Sequence, residues 1–211
     1  MQYKQIVFDI DGTLIDTEYA VLHSLQDTIK ITTGRDAKIE ELYFALGITG
    51  YDALVQLEIP DTTFALDIWD KNMRKYMDSV KVFEGMLDVL KKLEAGGYKV
   101  GIVTSKTKEE FEHDFSVFGI NDYFETVVCA DDTAEHKPNA EPLLKYIELA
   151  KCSKEEAIYI GDSVYDKECA HNAGVDFALA GWGAKNMFDN VIILNKPFDI
   201  LQHVSGVSFL I

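Results

Sequence analysis

A three-layer α/β fold with a parallel sheet, interrupted by a block of helices, is what this 211-residue sequence predicts. Three observations lead there. Short apolar runs alternate with helix-period segments through the second half of the chain, as expected for strands buried on both faces and joined by crossover helices. From about Thr17 to Val80 the spacing is helical with no convincing strand, which reads as an inserted domain. The first apolar run, Ile6-Val7-Phe8, leads straight into two carboxylates, Asp9 and Asp11, and then Gly12. Ligands bind beyond the carboxyl ends of such strands, so chemistry is expected there.

The elements follow in order. After the first strand, Thr17-Glu18 opens a helix whose apolar positions Val21, Leu22, Leu25 and Ile29 recur at helical spacing until Thr32-Thr33-Gly34 ends it. Further helices are expected over Ile39–Leu46, Tyr51–Leu57 and Asp61–Met77, the last with Phe64, Ile68, Trp69 and Met73 inward. The chain returns through Lys81–Gly85 into a helix from Met86 to Leu93, stopped by Gly96-Gly97. Strands are then expected at 99–104, 126–130, 157–161, 175–180 and 191–194, with helices at 108–118, 142–150 and 166–173. The division this implies is a Rossmann-like core, residues 1–16 and 81–211, carrying an inserted helical domain over residues 17–80.

Composition narrows the class. A hydrophobic content of 47% and a charged content of 27% suit a soluble protein with a sizeable core. The net charge of −16 argues against nucleic acid or an anionic membrane as partner, because neither is attracted to an acidic surface. No apolar run approaches the length of a membrane span, and no signal peptide is visible at the N-terminus. Cys129, Cys152 and Cys169 are odd in number and lack C-x-x-C spacing, as reduced thiols of a cytoplasmic protein would be. The sequence leaves monomer and homodimer both open.

What stands at the strand ends carries the function. The first strand delivers Asp9 and Asp11; the strand at 99–104 delivers Thr104 and Ser105, followed by Lys106. His136-Lys137-Pro138 precedes a helix, and the strand at 157–161 delivers Asp162, with Asp166 four residues on. Singly, each has a plain structural use as a cap, a loop or a turn. Together, at corresponding strand ends, they suit phosphoryl transfer, which needs an in-line nucleophile and neutralised charge on the transferring group. One carboxylate can attack phosphorus, a second can move the proton of the leaving oxygen, and Mg²⁺ is the natural partner for such hard oxygens.

The string Asp9-Ile10-Asp11-Gly12-Thr13-Leu14-Ile15-Asp16 and the three later motifs, in this order, resemble the haloacid dehalogenase superfamily of phosphohydrolases over essentially the whole chain. The resemblance implies that Asp9 is the nucleophile and Asp11 the general acid/base. It implies substrate-phosphate contacts from Thr104, Ser105 and Lys137, and Mg²⁺ held by Asp9, Asp162 and the main-chain carbonyl at Asp11. Asp166 is implied as an outer partner of the metal, and the helical insert over residues 17–80 as the family's cap domain. The Phe83-Glu84-Gly85 return and the Gly161-Asp162-Ser163 ending look most like the phosphoglycolate phosphatase and β-phosphoglucomutase branch. A small phosphorylated metabolite, phosphoglycolate-like, is therefore the expected substrate, with inorganic pyrophosphate, mutase chemistry or a non-catalytic regulatory role as alternatives. By the same alignment the mutase's cap-side histidine falls at Val21, and His23 is out of register by two. Arg35, Lys71 and Arg74 are the cap cations that could meet a second anionic group, or simply solvated helix charges.

Overall fold

The computed structural model describes residues 3–205; the outermost parts of the expected core, 1–2 and 206–211, lie outside them. Six parallel strands form one sheet in the order β5-β4-β1-β6-β7-β8. They are β1 (Gln5–Phe8), β4 (Lys99–Val103), β5 (Thr126–Val128), β6 (Ala157–Gly161), β7 (Asp176–Ala180) and β8 (Ile192–Leu194). All four residues of β1 are buried. Alternation along the strand divides them: Ile6 and Phe8 join one apolar cluster with Leu90, Leu93 and Ile200, while Val7 joins another with Leu143, Tyr146 and Ala170. Helices α4 (Met86–Ala95) and α8 (Asp199–Ser205) cover the first face, and α6 (Glu141–Ala150) and α7 (Val164–Ala173) the second. That is the three-layer architecture the alternating pattern predicts.

The chain leaves the sheet through β2 (Ile15–Asp16) and returns through β3 (Lys81–Val82), two antiparallel segments paired Ile15 to Val82 and Asp16 to Lys81. Between them lie α1 (Glu18–Thr33), α2 (Gly50–Gln56), α3 (Thr62–Tyr76) and short 3₁₀ turns, and no strand is present among these residues. Leu22, Leu25, Ile29, Leu42, Leu54 and Ala65 form an apolar cluster of their own. Gly34, in the left-handed region at φ +76°, stops α1 as expected.

Several expectations are corrected. Ile39–Leu46 is two 3₁₀ turns, Ile39–Glu41 and Tyr43–Ala45, neither with a side-chain cap at its start. Phe64 is not inward; it is 52% exposed. Met73 is inward and Trp69 packs on the apolar cluster as expected, but Ala65 and Asn72 take the inward places beside them, and Asn72 faces inward because its amide donates to Thr28 Oγ1 at 2.9 Å. The helix expected over 108–118 starts as α5 (Lys108–Glu110), widens to a π-helical turn at Phe111–Phe115 and tightens to 3₁₀ at Ser116–Phe118. Helix α8 was not anticipated. The three cysteines are free, and burial pushes the Cys129 and Cys169 thiols up to about 12, so neither is primed for thiolate chemistry.

Candidate active site

Strand β1 lies between β4 and β6, and the chain order reverses around it, so a crevice opens beyond these carboxyl ends. Asp9 continues β1 by one residue: its N–H donates to the Ile160 carbonyl at 2.9 Å, and the residue is only 2% exposed. Its Oδ1 accepts from Lys137 Nζ at 2.9 Å, while Oδ2 is buried with no hydrogen-bond partner. The Ile10 carbonyl then accepts from the N–H groups of Thr13, Leu14 and Ile15, folding the turn that carries Asp11. Glycine is required inside that turn. Gly12 has φ +73°, and a Cβ there would lie 2.2 Å from Asp162 Oδ2.

Lys137, 3% exposed, is the ammonium of the buried cluster. Besides Asp9 it donates to Asp166 Oδ1 at 2.7 Å and to the Tyr159 hydroxyl at 3.2 Å, using the three donors of an ammonium. Asp166 is itself fixed by its place in the sequence. Ser163 caps α7, and its N–H and hydroxyl both donate to Asp166 Oδ2, at 3.0 and 2.6 Å. Both oxygens of Asp166 are thus occupied, and its visible work is to hold Lys137. Asp162 Oδ1 accepts from the Thr13 hydroxyl at 3.3 Å.

Carboxylate oxygens of Asp9, Asp162 and Asp166 lie within 4.8 Å of one another, an oxygen-rich set that fits a hard divalent cation. Burial pushes the Asp9 carboxyl up to about 7, with Lys137 opposing and Asp166 and Asp11 adding to the rise. Burial, with Asp166 and Asp9 beside it, holds Asp162 well above the usual carboxylate range. Burial alone would lower the Lys137 ammonium, but Asp166 and Asp9 outweigh it and keep the charge on. The three carboxyls outnumber the one ammonium, and Asp9 Oδ2 is left buried without a hydrogen-bond partner.

A cavity of about 90 Å³ adjoins Asp9 and Asp11. Ser105 lines it and donates to the Gly47 carbonyl at 2.9 Å, tying the core to the loop between α1 and α2. Gly47 sits at φ +94°, where a Cβ would lie 2.6 Å from Ser163 Oγ. Tyr165 donates to the Phe44 carbonyl at 3.1 Å in the same crossing. Thr104 is buried behind this surface, its Oγ1 accepting from the Lys106 N–H at 3.2 Å, and neither it nor Lys137 lines the cavity. Arg35, Lys71 and Arg74 do not line it either. Arg74 pairs with Asp70 at 2.7 Å, Arg35 lies 3.7 Å from Glu41, and all three are exposed. Val21 lines the cavity, whereas His23 stacks on Tyr19 with ring centroids 3.8 Å apart.

Sequence reasoning passed over Lys106 as a site residue, and with it Asp114 and Tyr159. Lys106 Nζ lies 3.3 Å from Asp11 Oδ1 and 3.2 Å from Asp114 Oδ2, and it lines the cavity. The Tyr159 hydroxyl lies 2.8 Å from the Val103 carbonyl and 2.9 Å from Asp166 Oδ1. A signal for Tyr159 existed: a lone phenol in the middle of a fully buried strand needs a partner.

The chain is similar to known proteins over nearly its whole length. The chain is 32% identical over 210 residues to a protein of Caldanaerobacter subterraneus subsp. tengcongensis provisionally named pyrophosphatase PpaX, covering 96% of this chain and 87% of that one. It is 28% identical to the pyrophosphatase PpaX of Bacillus cereus, over 99% of both chains. Among solved structures, a Lactobacillus plantarum protein provisionally described as a phosphoglycolate phosphatase superposes with a TM-score of 0.87 at 28% identity, covering 96% of this chain and 99% of its own. Residues 6–180 match the family described as haloacid dehalogenase-like hydrolase, and this chain belongs to that family.

Proposed function

We infer that the protein is a cytoplasmic, Mg²⁺-dependent phosphatase of small phosphomonoesters that works through an aspartyl-phosphate on Asp9. The observation that carries the reading is the asymmetry of the Asp9 carboxylate, which lines the cavity: Lys137 holds Oδ1, while Oδ2 is buried and unpartnered. That oxygen is the one free to attack phosphorus. As the bond to the leaving oxygen breaks, Asp11 gives that oxygen a proton. Asp11 then takes a proton from water, whose oxygen attacks phosphorus and frees Asp9. Thr104, Ser105 and Lys137 are the proposed phosphate contacts, Lys137 acting through the oxygen it already orients. Asp9, Asp162 and the main-chain carbonyl at Asp11 would hold Mg²⁺, with Asp166 behind them. When bound, the ion supplies charge neutralisation on the transferring phosphoryl group.

The helical segment 17–80 is proposed as a cap over a core of residues 1–16 and 81–211. The Ser105–Gly47 and Tyr165–Phe44 hydrogen bonds support a cap seated across the site. Among the described residues no helix is long and apolar enough to cross a membrane. The names of the relatives favour a second reading, hydrolysis of inorganic pyrophosphate, by the same residues.

The test is a phosphate-release screen over small phosphomonoesters and pyrophosphate, with Mg²⁺ and with EDTA. Wild type should turn over only with Mg²⁺. Asp9→Asn should lose activity by about three orders of magnitude or more, since it keeps the shape but loses the attacking charge. Retention of even a tenth of wild-type turnover would remove Asp9 from the mechanism.

A further inference from the structure

The cavity beside Asp9 has a composition that bears on what leaves with the phosphate. Its outer wall comes from the helical segment and is apolar: Val21, Ile48, Leu66, Trp69 and Met73. Trp69 offers no donor inward, because its indole N–H is used on Ser24 Oγ at 2.8 Å. The charges at the edges are negative. Asp70, Glu110 and Asp114 all line the space, and Asp70 is paired with Arg74, which does not.

Among the described residues one cation lines the cavity, and it is already engaged. Lys106 lies between Asp11 Oδ1 at 3.3 Å and Asp114 Oδ2 at 3.2 Å, with its side chain 9% exposed. Its charge is matched before any substrate arrives. A leaving group with its own carboxylate or phosphate would therefore meet a lining in which Asp11, Glu110 and Asp114 outnumber the one ammonium, or would have to pull Lys106 away from the carboxyl proposed to protonate it.

We propose that the site selects phosphate esters of small uncharged alcohols, whose apolar side lies against Trp69 and Leu66, and rejects leaving groups that carry a second negative charge. This rests on the phosphatase reading above and goes beyond it by naming the leaving-group class. The specificity is an exclusion built from repulsion as much as an attraction.

The test compares matched esters on the full chain with Mg²⁺: n-propyl phosphate and the phosphate ester of glycolamide against 2-phosphoglycolate, which has the shape of the latter with a carboxylate in place of the amide, and against pyrophosphate. The neutral pair should exceed both anionic substrates in kcat/KM by about tenfold or more, from one uncompensated charge at close range. Leu66→Arg places a cation on the apolar wall and should narrow that ratio by about tenfold, chiefly through a lower KM for phosphoglycolate. Leu66→Gln, of similar length and uncharged, should narrow the ratio far less, and only by weakening n-propyl phosphate through lost apolar contact, with phosphoglycolate unchanged. A wild-type preference for phosphoglycolate overturns the proposal while leaving the phosphatase reading intact; a preference for pyrophosphate overturns it in favour of the second reading, pyrophosphate hydrolysis. An equal effect of Leu66→Gln and Leu66→Arg also overturns it. Failure to hydrolyse any ester, p-nitrophenyl phosphate included, overturns the phosphatase reading itself.

Discussion

Replacing Asp9 with Asn should stabilise the metal-free protein, by an amount that grows with pH. Asp9, Asp162 and Asp166 crowd their oxygens within 4.8 Å, and Lys137 is the ammonium that pairs with two of them. Burial, then the neighbouring carboxylates, push Asp9 from 3.8 up to about 7 despite Lys137. The sign follows from proton linkage. Between those two values the folded chain keeps a proton that the unfolded chain has lost, so stability falls as pH rises through the window and the penalty is complete above it. About three pH units at about 1.36 kcal/mol each give a ceiling of about 4 kcal/mol. Asn carries no charge, and its Oδ1 still accepts from Lys137, so the variant should escape the penalty. Urea unfolding followed by circular dichroism in EDTA, at about pH 5 and about pH 8, isolates the effect. Two of the three units fall between these conditions, so the advantage of the variant should grow by about 3 kcal/mol. Adding Mg²⁺ should restore wild type more than the variant, because a cation offsets the same repulsion. A difference between the two proteins that is flat with pH, or that shrinks as pH rises, would refute the reasoning.

Two further predictions follow from the same cluster. Lys137→Met strands Asp9 and Asp166 in a buried site, and should cost about 3–5 kcal/mol by urea midpoint; the added substitution Asp9→Asn should recover part of that loss, and no recovery would show that the two residues are not coupled. Gly12→Ala meets both a φ of +73° and Asp162 Oδ2 at 2.2 Å. It should cost about 1 kcal/mol or more of stability and weaken Mg²⁺ binding by calorimetric titration, whereas unchanged affinity would mean that Asp162 does not need its present place.

Much of the fold was legible because it rests on local pattern. Ala157–Gly161 forms a strand over the residues its apolar run specifies, and α1 ends at the expected glycine. What failed locally has a local reason. In α3 the inward places of Trp69 and Met73 could be read, but whether Phe64 or Ala65 joins them could not, and only packing against α1 chooses. That choice is fixed by a polar pair, Asn72 on Thr28, which no hydrophobic pattern can report. The π turn at Phe111–Phe115 was invisible for a related reason: one extra residue per turn leaves no mark on a short amphipathic run.

The site divides along the same line. Asp9, Asp11, Lys137, Asp162 and Asp166 could be picked from the sequence because each follows a strand or opens a helix with a motif around it. Their partners could not, because partnership here is long-range. Lys106 precedes Asp114 by eight residues and follows Asp11 by 95, and only the sheet order β4-β1-β6 brings β4's end beside β1's. The same holds for the expected cap cations. Arg35, in the loop after α1, and Lys71 and Arg74, on α3, were candidates on charge alone, and all three are exposed. The positive charge that does reach the cavity comes from the core and arrives already balanced by two carboxylates. A sequence supplies the inventory of charges, but whether a charge is available to a substrate depends on what it has already met in the fold. For this site that difference separates a cavity suited to an anionic leaving group from one built to refuse it.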